Sequence, residues 1–139
     1  MTITLLHRWL GTIIVLLFIM TMAWAVVLWT RRRDETPLGM RALQHWTENL
    51  LIVQTVGGIA LLLLGRRVVG PPDAWLHSLY GSLFPLVAIV GGRLAALRRE
   101  RRQYVGLAWG AFFAFGLTLR AVQTACGVGL ADLGSCMFR

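Results

Sequence analysis

Apolar residues in this chain neither alternate in twos nor keep to one face of a helical period. They run almost unbroken through four long stretches, and polar residues collect in the short segments between them. A helix needs about 20 apolar residues to cross a bilayer core at about 1.5 Å of rise per residue. The stretches at residues 5–30, 46–64, 75–97 and 104–125 are each long enough. The connections, at residues 31–44, 65–73 and 98–103, are too short to hold a soluble domain, and the middle one carries Gly70-Pro71-Pro72, a strong helix breaker. The pattern predicts an all-α integral membrane protein, with residues 1–139 forming one domain, a bundle of four transmembrane helices.

Composition agrees with that pattern. Of 139 residues, 57% are hydrophobic and 14% charged, and the mean hydropathy is +0.67. A soluble domain of this size needs more polar surface. The net charge is +8, and all 14 basic residues are arginine. Arg31, Arg32, Arg33 and Arg41 lie in the first connection, Arg98, Arg99, Arg101 and Arg102 in the third, and only Arg66 and Arg67 in the second. The excess of positive charge on cytoplasmic loops then predicts both termini on the outer, non-cytoplasmic side of a plasma (inner) membrane, with lipid headgroups meeting the arginines. Once the spans are assigned no basic face remains, so nucleic acid is not an expected partner. Trp9, Trp29, Trp46, Trp75 and Tyr104 are expected at the interfaces, where amphipathic rings settle. "AWA" at residues 23–25 imitates a leader-peptide cleavage site, but the apolar run continues past it to Arg31, so the first helix is expected to be retained.

Two of the three histidines repeat one motif. His7 is followed four residues on by Gly11 ("HRWLG"), and His77 by Gly81 ("HSLYG"). The first and third helices run in the same direction, so His7 and His77 are expected at one depth, near the outer face. Two imidazoles facing each other at one level supply both axial ligands of a haem iron. Residues i and i+4 share a helix face, so Gly11 and Gly81 are expected to clear space for the porphyrin beside each ligand. Arg120 interrupts the apolar run of the fourth helix near the same depth. An intramembrane arginine normally has a partner, and haem propionates would suit it, with Arg8, Arg66 or Arg67 assisting. The bland reading of these residues is interfacial histidines, packing glycines and a snorkelling arginine; their shared depth favours one bis-histidine haem b.

Other residues carry weaker signals. His45 and Glu48 share a face at the cytoplasmic entrance of the second helix, where they can pair with loop arginines or line a quinone or proton path. Gln54 lies deeper and either caps a neighbouring backbone or approaches a cofactor. Gly57–Gly58 and Gly91–Gly92 read as packing glycines. Cys126 and Cys136 fall on the outer side after the fourth helix, where a disulfide persists, with free thiols as the alternative. Their spacing excludes covalent haem attachment through CxxCH. No nucleophile–base pair, phosphate loop or closed zinc site appears.

"HRWLGTIIVLL" resembles the start of a haem-ligating helix in the haem A synthase family, whose halves are four-helix bundles, and "LHSLYGSLFPL" resembles the parallel helix bearing the partner histidine. "LRAVQTACGVGLADLGSC" is similar to that family's helix-to-cysteine-pair segment. The resemblance implies His7 and His77 as haem ligands and Cys126 and Cys136 as the outer cysteine pair. This chain matches one half-bundle and has Leu5 and Leu6 where the family has an acidic residue, so the resemblance implies a one-haem bundle of that type. The expected function is a membrane b-type haem protein relaying electrons near the outer face. It would serve as a subunit of a larger respiratory or photosynthetic complex, with quinone or an external carrier as partner. The alternative is a cofactor-free accessory subunit binding lipid or pigment; haem modification or quinone chemistry is a third, enzymatic reading.

Overall fold

The computed structural model describes residues 2–66, 75–127 and 129. Among these there are four long helices and no strand: α1 (Thr2–Thr30), α2 (Leu38–Leu63), α3 (Leu76–Leu97) and α4 (Gln103–Cys126). All four are long and apolar enough to span a membrane. They pack up and down, with α1 against α2 and α4, and α3 against α4 and α2, so that α1 and α3 stand on the diagonal. The ends of α1 and α3 that carry His7 and His77 therefore share one end of the bundle with the last turns of α2 and α4. The first and third connections meet at the other end.

The core forms two layers. Ile14, Phe18, Leu51, Ile89, Ala111 and Ala114 fill the middle, and Ala25, Leu28, Met40, Ala96, Tyr104 and Leu107 fill the end beneath the arginine-rich connections. The outer face is apolar as well: Leu16, Val26, Ile52, Val90 and Phe112 are exposed. Such a surface suits lipid and would be costly in water. Buried threonines avoid that cost locally. Thr12, Thr21, Thr47 and Thr118 each donate their hydroxyl to the carbonyl four residues earlier on the same helix.

The tightest seam lies between α3 and α4. A Cβ built on Gly92 would come 2.5 Å from Gly110 Cα, and one on Gly106 would come 2.5 Å from the Ala96 backbone nitrogen. Small residues let the two backbones touch, which replaces the absent hydrophobic drive between helices in lipid. Gly91, read from sequence as a packing glycine beside Gly92, has no atom within 4 Å of its Cβ position; it is one residue round the helix and faces outward.

Two further expectations are corrected. α2 begins at Leu38, directly after Pro37, and not near Trp46. Its first turns look polar in a hydropathy average, yet Met40, Gln44 and Thr47 are all buried on one helical stripe. Gly39 admits Trp24 of α1, whose Cη2 lies 2.9 Å from where a Cβ would be. Tyr104, expected as an interfacial ring, is 1% exposed and belongs to the core, while Trp9, Trp29, Trp46 and Trp75 do face outward.

The first and third connections are tied together. Asp34 accepts the Arg102 backbone N–H through its carbonyl (2.7 Å) and the Arg102 Nε–H through its carboxylate (2.8 Å). Thr36 Oγ1 accepts the Tyr104 N–H (2.9 Å), capping the first turn of α4. The Arg102 hydrogen bond holds the Asp34 carboxyl below its usual range, and Asp34 in turn raises Arg102. A depressed carboxyl contributes stability above its unfolded value, about pH 4, and loses it as pH falls through the folded value. Asp34→Asn is therefore expected to lower the thermal midpoint in detergent at pH 7, with the gap to the parent narrowing as pH falls below about 4. A gap that stays constant over that range would show that the ionised pair contributes nothing.

Candidate functional site

His7 lies two turns into α1 and His77 at the start of α3, and the fold brings their rings together: the centroids are 6.5 Å apart, with the planes 68° from parallel. Each ring also touches a neighbouring helix. His77 Nδ1 donates to the Ala121 carbonyl of α4 (2.8 Å). A carbonyl can only accept, so the proton is on Nδ1 and the lone pair of neutral His77 is on Nε2. On the other side, the Gln54 amide of α2 donates to His7 Nε2 (3.2 Å). His7 Nδ1 and Gln54 Oε1 are then buried without a hydrogen-bond partner.

Immediately after His77, Leu79–Leu83 winds as one π-helical turn before α-helix resumes at Phe84. Such turns occur as single bulges, often at functional sites. Within it the Ser82 hydroxyl donates to the Ser78 carbonyl.

The glycines serve the histidines in a different way from that expected. The space beside Gly11 is taken by Gln54, whose amide nitrogen lies 3.1 Å from a Gly11 Cβ position. Gly81 meets Ala121 Cβ at 3.5 Å and His77 Cε1 at 3.9 Å. Gly57 and Gly58, read from sequence as packing glycines, are the residues against His7: a Cβ on Gly58 would lie 3.3 Å from its Cε1, and one on Gly57 3.6 Å from its Nδ1. Gln54, Gly57 and Gly58 of α2 thus form the seat of His7.

Arg120 lies one residue before Ala121, so it is at the level of His77. Its side chain is on the exposed face of α4 and donates to Gln123 Oε1 (3.4 Å). Arg8 adjoins His7 on α1 and is partly buried. Arg66 is exposed just beyond α2. Cys126 ends α4, while Cys136 and Arg67 lie outside the described residues.

At the opposite end Glu48, with a side chain 12% exposed, accepts from Arg93 of α3 (2.8 Å) and from Gln44 (3.4 Å), and His45 Nδ1 is 3.9 Å away. Its strong partner is therefore a helix arginine, not a loop one. Arg93 was open to detection from sequence, since it interrupts the apolar run of α3 as Arg120 does that of α4. These residues, with Arg41, Gln103 and an apolar floor of Ala96, Leu97 and Leu107, line a recess of about 160 Å³.

No family model, curated protein or solved structure matches this chain. The site must be read from its own chemistry. Metal–imidazole bonds are about 2 Å long, so two imidazoles on opposite sides of one ion have centroids roughly 6 to 6.5 Å apart. The His7–His77 spacing of 6.5 Å fits that. The donor chemistry fits as well. His77 offers Nε2 with Nδ1 held by a carbonyl, the usual support of a metal-binding histidine. His7 offers a nitrogen once its ring turns from Gln54. Among the described residues no group of three or more His, Cys, Asp or Glu side chains could hold a metal ion.

Proposed function

We propose that this chain is a small membrane b-type haem protein that relays single electrons. The observation that carries the proposal is the pairing of His7 and His77 across the diagonal of the bundle, with the His77 tautomer set by Ala121. In this reading His7 and His77 would together hold one haem b. The bound group would supply one-electron exchange between ferric and ferrous iron. The chain's residues do the rest: Ala121 fixes the orientation of His77, and Gly57 and Gly58 leave room for the His7 ring.

The resemblance to half of a haem A synthase supports the same reading, since that type of bundle places a histidine pair on parallel helices. The arginine distribution supports a plasma-membrane topology with both termini, and hence the histidine pair, on the outer side. Arg120 and Arg8, at the histidine level, are the cations nearest in sequence and depth for the haem propionates. Cys126 and Cys136 would form a disulfide on that side. An electron relay of this size serves as a subunit of a larger respiratory or photosynthetic complex, exchanging electrons with quinone or an external carrier. No catalytic role is part of the proposal.

Visible spectra of the purified chain, oxidised and then dithionite-reduced, test the reading. The expected result is a reduced-minus-oxidised difference with the bands of a low-spin, bis-histidine b-type haem. A featureless spectrum from protein purified under haem-replete conditions would replace the proposal with a cofactor-free accessory subunit packed against a larger complex.

A further inference from the structure

Among the described residues the backbone enters the left-handed region at two non-glycine positions, and both are arginines: Arg32 (φ 51°) and Arg102 (φ 56°). Both lie where the first and third connections meet. Together with Trp29 and Thr30 they line one open recess of about 480 Å³.

Neither conformation favours arginine. At the end of α1 the Arg33 N–H reaches back to the Leu28 carbonyl and the Arg32 N–H to Trp29 (both 3.0 Å). This is the left-handed helix ending whose turning position usually takes glycine, because a Cβ there crowds the backbone. Arg102 stands at the N-cap of α4, where a short polar side chain that caps the helix is usual, and it makes no cap hydrogen bond. Long cations thus stand at two positions where a smaller residue would sit with less strain. Strained backbone of this kind gathers at ligand clamps.

The recess is cationic and lies at the end of membrane-crossing helices. Asp34 holds Arg102 through Nε, which fixes the guanidinium plane and leaves its Nη groups for a further acceptor. Arg31 and Arg33 flank Arg32 and add positive field. The Trp29 ring is 64% exposed at the last turn of α1, where an aromatic ring meets the boundary between acyl chains and headgroups. Two arginines lining one recess can offer guanidinium donors that match the oxygens of a phosphate.

We propose that the recess between Arg32 and Arg102 binds the phosphate of an anionic membrane-lipid headgroup. The lipid's acyl chains lie along the exposed end of α1 below Trp29, and its phosphate bridges the two connections that Asp34 also joins. The site is independent of the haem reading and sits at the opposite end of the bundle.

Thermal unfolding of the whole chain in neutral detergent tests this, with added phosphatidylglycerol, phosphatidylcholine or inorganic phosphate. The parent midpoint is expected to rise more with phosphatidylglycerol than with the other two. Arg32→Gly should unfold no earlier than the parent without lipid, because glycine relieves the backbone, yet lose at least half of the phosphatidylglycerol-specific rise. Arg32→Gln keeps the Cβ and should lose the rise as well. Arg99→Gln removes the same charge from the third connection outside the recess and should keep it. Equal rises in the parent and both Arg32 variants, or equal rises with the two lipids, would overturn the site. A rise with inorganic phosphate equal to that with phosphatidylglycerol would overturn the lipid as its occupant.

Discussion

Replacing His77 with alanine is expected, on the proposed haem reading, to strip the purified chain of haem, and His7→Ala to do the same, while His45→Ala leaves haem content unchanged. Removing a supporting residue of a metal ligand already costs roughly 10- to 100-fold in affinity. Loss of one of the two histidines should therefore weaken haem binding at least about tenfold. His77 has the more fixed ring, since its Nδ1 is held by Ala121 at 2.8 Å. His45 lies at the other end of the bundle, 65% exposed beside Glu48. Haem per chain, measured as the pyridine complex, decides the matter. Equal content in all three variants would remove the histidine pair from the site.

The second large effect is mechanical. Gly92→Val is expected to break the α3–α4 seam, because its Cβ would meet Gly110 Cα at 2.5 Å and the Gly106 carbonyl oxygen at 2.8 Å. Both are backbone atoms and neither can swing aside. Overpacking of a close contact costs about 1 to 3 kcal/mol, and a clash with rigid backbone belongs at the top of that range. Gly91→Val is the natural control, since nothing lies within 4 Å of its Cβ position; it should change stability by no more than about 0.5 kcal/mol. Unfolding of both variants in detergent compares them directly. If the two lose the same stability, the seam is not a close backbone contact.

These two sites show where sequence was informative. Hydropathy counts residues along the chain, so it located four spans and set His7, His77 and the region of Arg120 at one level. It carries little about rotation round each helix axis, which is decided by what packs against what. Arg120 and Ala121 are consecutive, about 100° apart round the helix, and that step puts Ala121 against His77 and the Arg120 side chain on the exposed face. The same blindness made Gly58 look like a packing glycine and Gly11 like a clearing for a cofactor, when Gln54 fills the space beside Gly11. The early start of α2 was missed for a different reason. Arg41, Gln44 and His45 depress the local hydropathy, although Met40, Gln44, Thr47 and Leu51 already mark a buried helical stripe. The partnership of Glu48 with Arg93 was legible in principle, because each charge is costly within a span and the two lie on neighbouring helices.

The π-helical turn at Leu79–Leu83 acts as a phase adjuster. An α-helix run straight through these residues could satisfy the seam below or the histidine above, but its period ties the two together. The wider turn spends an extra residue without extending the span by a further turn, and so uncouples them by about 100° of rotation. Below it, Gly92 and Ala96 keep their registration on α4; above it, His77 is free to face Ala121 and His7. α3 thus carries two segments held at different phases on one axis, and a single-residue deletion inside the turn would bring them into one phase while leaving the length of the membrane crossing almost unchanged.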